Sequence, residues 1–548
     1  MATVQQSKRK REYEANGVGN GDAKGPRLDI NHTGGVKDGM SAAPAGVDLG
    51  ILDGLEDSDA VEILDVRGLK KMILSFERKL SNNLEARMKY MEQPDKFVDS
   101  EVDLDDEVKK LHALATAPDL YPELVRLNSV SSILGLLSHE NTDIAIGVVN
   151  LLNDLTDEDV IGESDEPALV LVDALVENNA LELLIQNLGR LDEADPDEAT
   201  AVFNTLSIVE NMIEVKPQVS ELVCERTKLL RWLLTRLKVR EFDSNKLYAS
   251  EILAILLLNS AANQRRLGQL NGVDTILQAV AMYKSRDPKT SEEEEMLENL
   301  FDCLCSVVMP VENKERFVKA EGVELMIIIM KQKRLAYASA MKALDFAMTR
   351  CTAACERFVD VLGLKTLFAA FMGKVPVVKS KNKLDRNPDD IEERVISLIS
   401  SLFGGLTRGS RRERLLSKFQ ESGFEKIDRL MELYMRYSER VKAESKRLDA
   451  QQMEDMELDD DDKYLAKLEG GLFTLQLLAL ILANLWSSEH TGMQERIELL
   501  LKQRRTSRDD VKDVLQEYLD NIGDLDGPEE KERRCTKIQK LLTSLGSF

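Results

Sequence analysis

Histidine and cysteine are both scarce in this sequence, which limits the chemistry it can support. The four histidines lie far apart along the chain, so neither a histidine-rich metal site nor a histidine relay is expected; they are His32, His112, His139 and His490. The six cysteines form no CxxC pair of pairs, and Cys303/Cys305 and Cys351/Cys355 lie within apolar helical patterns. We interpret the cysteines as buried, reduced thiols of an intracellular protein.

Catalytic motifs and membrane spans are also lacking. The glycine-rich segment 404–409 has no Gly-Lys-Ser/Thr ending, and no GxSxG, HExxH, EF-hand or kinase pattern occurs. The longest apolar run, residues 471–486, has 16 residues and includes Gln476 and Asn484. This run is too short to span a bilayer and predicts a buried core helix. We therefore expect a protein that is not an enzyme, with no cofactor and no membrane association.

Charge and length point to a large acidic protein. The 548 residues contain 73 Lys and Arg against 97 Asp and Glu, a net charge of −24. Such a balance argues against general nucleic-acid binding and favours basic partners. Apolar residues make up 43% of the chain, which is enough for a large core and allows several domains or one long repeat array.

The first 65 residues differ from the rest. Nine of the 30 glycines fall within residues 1–50, without apolar periodicity, which predicts a disordered tail. The tail carries four consecutive cations that resemble a nuclear-localisation signal for an import receptor: Lys8, Arg9, Lys10 and Arg11. The alternative is a solubilising basic tail.

The remainder is helical and repetitive. Similar apolar units begin at Val130, Ala180, Leu229, Val273, Val323 and Leu364, spaced by 50, 49, 44, 50 and 41 residues, and each is followed by a second apolar helix. This period is typical of armadillo and HEAT repeats and predicts an all-α, armadillo/HEAT-like α-solenoid. We place an N-terminal helical cap at 66–115, armadillo-type repeats at 116–415 and a C-terminal helical domain at 416–548. The run Asp459–Asp462 is expected to be a solvated acidic loop or helix end, or alternatively a partner-binding tract.

The charge is distributed unevenly along these repeats. Residues 127–189 contain 12 acidic residues and no Lys or Arg, whereas residues 365–447 contain 19 Lys and Arg against 12 acids. A solenoid with this polarity can orient a charged partner.

The second apolar helices of the units supply a candidate binding groove. Aligning LLNDL, VENMI, LFDCL and ALDFA brings two asparagines and two aspartates into one column, with Glu298 one turn before Asp302 and Glu251 in a looser match. Such a ladder suits an extended basic peptide, and a purely structural role is the alternative for each residue. The predicted partner-binding residues are Asn153, Asp157, Asn211, Glu251, Glu298, Asp302 and Asp345. The two tryptophans, Trp232 and Trp486, are too few for the Trp ladder of an import receptor.

Long segments resemble the beta-catenin-like protein 1 family of spliceosome-associated armadillo proteins. The resemblance includes KKMILSFERK at 70–79, residues 120–157, NKLYASEILAILL at 245–257 and DRLMELYMRY at 428–437, and it extends over roughly residues 66–548. It implies a noncatalytic nuclear scaffold of the Prp19/CDC5-like complex, which binds basic segments of splicing factors, including the CDC5-like protein, during pre-mRNA splicing. Two alternatives remain at this point: a nuclear-import adaptor, and an RNA-binding scaffold acting through residues 365–447 with Arg411, Arg412 and Arg414. Self-association is possible on either hypothesis.

Overall fold

The computed structural model describes residues 64–161, 165–376, 388–452, 460–524 and 527–546. These residues all belong to one unit, Ile63–Phe548. The predicted localisation signal Lys8–Arg11, and nearly all of the predicted tail, lie outside the described residues.

Helices make up the architecture. The α-helices are α1 Val66–Lys89, α2 Val98–Leu111, α3 Tyr121–Arg126, α4 Val130–Gly135, α5 Thr142–Leu155, α6 Glu158–Ile161, α7 Asp165–Glu177, α8 Ala180–Leu188, α9 Pro196–Val215, α10 Val219–Arg226, α11 Leu229–Leu237, α12 Ser244–Leu257, α13 Ala261–Gln269, α14 Gly272–Ala281, α15 Ser291–Val307, α16 Val311–Lys319, α17 Gly322–Gln332, α18 Tyr337–Met348, α19 Thr352–Asp360, α20 Gly363–Phe371, α21 Pro388–Gly405, α22 Ser410–Gln452, α23 Asp460–Lys467, α24 Phe473–Trp486, α25 Thr491–Gln503, α26 Arg508–Asp520 and α27 Pro528–Gly546. Short 3-10 turns lie at Pro94–Lys96, His112–Thr116, Pro118–Leu120 and Leu136–Ser138, and a π-helical turn lies at Leu468–Leu472. The described part of the chain contains no strand.

Six repeats of three helices run from α3 to α21, with α6 as an extra turn. The second and third helices of each repeat are the two apolar helices that the sequence predicts. Among the first helices, α13 and α16 are short and polar, whereas α7 is longer and largely apolar. Helices of the same type pack against each other: α10, α13, α16 and α19 in one row, α11, α14, α17 and α20 in a second, and α5, α9, α12, α15, α18 and α21 in a third. The fold is therefore an all-α armadillo-type solenoid, as predicted.

A tight joint between first and second helices recurs in the later repeats. Glu321 and Leu362 adopt left-handed backbone conformations immediately before Gly322 and Gly363. A Cβ atom on either glycine would lie 2.5–2.6 Å from the ring of Phe317 or Phe358, respectively. Glycine thus lets the buried ring of the first helix pack against the start of the second.

Additional helices cover both ends of the third row. At one end α1 packs on α2, and α2 packs on α5. At the other end α24 packs on α21 and is surrounded by α22, α25, α26 and α27. The boundary that we predicted after residue 415 falls inside α22, whose helical path breaks at residues 421–424.

The apolar run near the C-terminus belongs to this core. The segment Asp462–Trp486 is long and apolar enough to cross a membrane, but 72% of its most apolar window is buried within the protein. Its central helix, α24, is apolar on all sides because other helices pack around it. The prediction of a core helix is in accord with this packing.

Candidate functional site

The third helices of the repeats form one continuous face, which we call the third-helix face. A side-chain hydrogen bond links each helix of the row to the next. From α5 to α21 these bonds are Asn204 Nδ2 to Asn150 Oδ1 at 2.9 Å, Tyr248 Oη to Glu210 Oε2 at 2.5 Å, Asn299 Nδ2 to Ser250 Oγ at 3.2 Å, Lys342 Nζ to Asp302 Oδ1 at 2.7 Å and Ser397 Oγ to Asp345 Oδ1 at 2.6 Å. The polar groups on this face are thereby held in a defined register.

The predicted partner-binding residues all lie along this row. Six of them belong to third helices, and Asp157 follows α5 by two residues. Their surroundings differ, so the structure separates residues that face solvent from residues that serve contacts within the protein.

Helix α15 carries an accessible acidic pair. Glu298 and Asp302 lie one helical turn apart and are both exposed. The side chain of Asp302 is 56% exposed, although one of its oxygens accepts the bond from Lys342. The half-buried Glu251 lies on the neighbouring helix α12. The centre of the row is therefore acidic and open to solvent.

Asp345 occupies the expected row but is mostly enclosed. Its side chain is only 15% exposed, it accepts a hydrogen bond from Ser397, and the guanidinium of Arg394 lies 3.6 Å away. Burial raises the pKa of Asp345 to about 6, against the lowering effects of Ser397 and Arg394. Its carboxyl group is thus engaged within the protein.

The contribution of Asp345 to stability is expected to fall as the pH rises from about 4 to about 8. The Asp345→Asn variant should therefore lose less stability over this range than the unmodified chain. The pKa of this carboxyl rises on folding from an ordinary 3.8 to about 6, so folding favours the protonated form. The contribution of this carboxyl to the free energy of unfolding is complete below pH 3.8 and disappears as the pH rises through about 6. The change amounts to up to about 3 kcal/mol. Denaturant unfolding across this pH range measures the effect. Equal pH slopes for the variant and the unmodified chain would contradict it.

The asparagines are arranged differently from the predicted column. We aligned Asn153 with Asn211, but the bond between α5 and α9 joins Asn150 to Asn204, which lie nearer the helix starts. The side-chain oxygen of Asn153 is buried without a hydrogen-bond partner, and Asn211 Nδ2 lies 3.5 Å from Ser207 Oγ in its own helix. Helical periodicity had left this register open, because several polar residues share each exposed side.

The strongly acidic section 127–189 contributes to the face mainly through α5. Asp154 Oδ2 lies 2.5 Å from His112 Nδ1, and Asp157 accepts a bond from the backbone N–H of Asp159. Other acids of this section lie on α7 and α8, where Asp173 pairs with Lys216 at 2.5 Å and Glu182 with Arg226 at 4.0 Å. The acidic density of this section is therefore spread over several surfaces.

The basic section 365–447 contains many cations that stabilise the fold. Arg411 donates two hydrogen bonds to Asp360 at 2.9 and 2.8 Å. Arg412 donates to the carbonyl of Leu406 at 2.8 Å, and Arg414 to that of Val359 at 3.0 Å. These three arginines, the candidates for RNA contact, are thus already engaged with protein groups.

The described ranges contain no cluster of metal ligands, and most of their cysteines are buried. No group of three or more His, Cys, Asp or Glu residues could hold a metal ion there. All six cysteines are free thiols, and five of them are buried. Burial raises the pKa of Cys224, Cys305 and Cys355 to about 12, which makes these thiols poor nucleophiles at neutral pH.

The family model and the similar sequences indicate the same family. The family model described as "Catenin-beta-like, Arm-motif containing nuclear" matches residues 48–516. The human protein named beta-catenin-like protein 1 is 44% identical over 489 residues, covering 87% of this chain and 86% of its own length. The homologue from Schizosaccharomyces pombe is 37% identical over 485 residues, covering 86% of this chain and 82% of its own. A solved chain from a study of the cadherin and beta-catenin interaction aligns with a TM-score of 0.41 at 12% identity, covering 89% of this chain and 99% of that chain. On the family match and the identity to these relatives, the chain belongs to the beta-catenin-like protein 1 family.

Proposed function

We propose that this protein is a noncatalytic nuclear scaffold that binds basic, nuclear-localisation-type segments of splicing factors on the third-helix face. The observation that carries the proposal is the exposed pair Glu298 and Asp302 at the centre of a continuous row of polar side chains. Carboxylates one turn apart can bind successive Lys or Arg side chains of an extended peptide.

A contact within the protein illustrates the chemistry. Lys342 donates to Asp302 at 2.7 Å across two third helices, as a lysine of a bound peptide would. The half-buried amide of Asn299, in the same row, belongs to a residue type suited to the backbone of such a peptide. Beyond α15 the face includes Lys342 and Arg394, so a basic segment is favoured on the α5–α15 side.

The choice of partners rests on the resemblance to the family. It favours splicing factors of the Prp19/CDC5-like complex, the CDC5-like protein among them, with entry into the nucleus through an import receptor that binds the Lys8–Arg11 cluster. The net charge of −24 is consistent with basic ligands.

A binding experiment tests this function. A fluorescent Lys/Arg-rich peptide is titrated with the full chain at several salt concentrations, beside a matched peptide with glutamine at each cationic position. We expect micromolar or tighter affinity for the basic peptide, weakened by salt because the ion pairs are partly exposed to solvent. Equal binding of the two peptides would refute the proposed ligand class. Affinity purification from nuclear extract then measures whether splicing factors with basic segments copurify with this chain.

A further inference from the structure

Exposed apolar side chains are concentrated at the N-terminal end of the described chain. Of the 19 large apolar residues that are exposed in the described parts, seven fall within residues 66–102. They are Val66, Leu74, Leu84, Met88, Met91, Val98 and Val102. The exposed fractions of Leu74, Met88 and Met91 reach 72%, 78% and 80%. Exposed apolar residues that lie close together on a surface are typical of interaction sites.

The outward side of α1 forms a straight stripe. Its exposed residues follow alternating steps of four and three, the spacing along which a second helix packs. We call this row the α1 outer stripe: Arg67, Lys71, Leu74, Arg78, Ser81, Glu85 and Met88. Leu84 and Met91 lie one step to its side near the end of the helix. The stripe covers about 32 Å at 1.5 Å per residue.

The opposite side of α1 already has its partners. Leu69, Ile73 and Phe76 are buried in the core. Lys79 Nζ lies 2.5 Å from Asp103 Oδ2, and Asn83 donates to Ser100 at 3.1 Å. Helix α1 is thus held by α2, and folding does not require that its outer stripe be covered.

The cations on the two sides of α1 differ in their ion pairs. On the inner side Arg87 pairs with Glu101. On the outer stripe Arg67, Lys71 and Arg78 form no ion pair with any described residue. In a protein with a net charge of −24, three such cations against the one acidic residue of the stripe, Glu85, make a local reversal of charge around Leu74. Charge complementarity then selects an acidic partner.

We propose that the α1 outer stripe docks an acidic amphipathic helix of another protein. Apolar residues of that helix pack on Leu74, Leu84 and Met88, and its carboxylates pair with Arg67, Lys71 and Arg78. Because α2 lies between α1 and the third row, this surface is separate from the third-helix face and opposite to it in charge. The protein then holds a basic segment and an acidic helix at the same time, as a scaffold must.

The test uses the full chain and a labelled helical peptide of about three heptads, with leucine at positions a and d and glutamate elsewhere. A matched peptide carries lysine in place of glutamate. We expect the acidic peptide to bind and the Lys71→Glu/Arg78→Glu variant to weaken it about tenfold, since two attractions become repulsions. Leu74→Ser is expected to weaken it without a charge change. The control Lys331→Glu/Lys333→Glu makes the same charge change at exposed positions at the end of α17.

Several results would overturn the proposal. These are equal affinity for the two peptides, equal losses in the stripe and control variants, or self-association of the chain that Leu74→Ser abolishes, which would make a second copy the occupant. Circular dichroism confirms that the variants fold. Binding of the basic peptide to the stripe variants is expected to persist, so failure here is distinguishable from failure of the proposed function.

Discussion

Exchanging Glu298 and Asp302 for lysine is expected to weaken the binding of a Lys/Arg-rich peptide by roughly 10- to 100-fold. Both carboxylates are exposed on one side of α15, and each would pair with a cation of the peptide. Reversal removes these attractions and places new cations beside Lys342, which now bonds to Asp302. Fluorescence anisotropy at low and at physiological salt measures the loss, which is expected to be larger at low salt.

Two further variants make this result specific. Glu312→Lys/Glu315→Lys produces the same charge change at exposed positions on α16, a first helix, and is expected to leave affinity nearly unchanged. Lys342→Met frees the Asp302 carboxylate and is expected to strengthen binding by about two- to fivefold. If the α16 control loses as much affinity as the α15 variant, the peptide responds to the overall field of the protein and not to this site.

The Asn313→Ala variant is expected to reduce the free energy of unfolding by about 3 kcal/mol. Asn313 is fully buried, and its Nδ2 donates to the carbonyls of Gln264 and Val307, both at 2.7 Å. Its Oδ1 accepts from Arg316 at 2.7 Å. Alanine removes both of these Nδ2 bonds between neighbouring repeats, and the carbonyl of Val307, at the end of α15, loses its side-chain donor.

Chemical denaturation followed by circular dichroism measures the Asn313 effect. Asn299→Ala is the matched control, because that half-buried amide loses one bond of 3.2 Å to Ser250, and the expected cost is below about 1 kcal/mol. Similar losses for the two variants would show that the carbonyls at Asn313 find other donors. Replacing Gly268 should also disturb this site, since a Cβ there would lie 1.8 Å from Asn313 Oδ1.

Asn313 also shows what the repeat pattern alone did not reveal. It belongs to α16, one of the short polar first helices, and the apolar units beginning at Val273 and Val323 lie on either side of it. Asn263 has the corresponding place in α13, where its Nδ2 donates to the carbonyls of Ser220 and Leu256. A signal was present, because both asparagines lie three residues before an arginine that bonds to them. An asparagine in a polar segment nevertheless resembles a surface residue until the burial is known.

The same limit applies to the candidate site. The periodicity of α15 was sufficient to place Glu298 and Asp302 on one accessible side, because that side depends on one helix alone. Asp345 satisfied the same pattern, but Ser397 and Arg394, some 50 residues later, enclose it. The three arginines at 411, 412 and 414 likewise looked like an accessible basic cluster, whereas Asp360, Leu406 and Val359 bind them.

The sequence by itself determined the class of fold, the positions of the apolar helices, the uneven charge and the family, because periodicity and composition are properties of local segments. Only the tertiary structure decided the register between helices, the engagement of Asp345 and Arg411, and the exposure of the apolar residues on α1. These features depend on which side chains from distant segments meet, and a period of 40 to 50 residues leaves that choice open by at least one helical turn. Packing between repeats therefore sets which acidic and basic groups remain available to a partner.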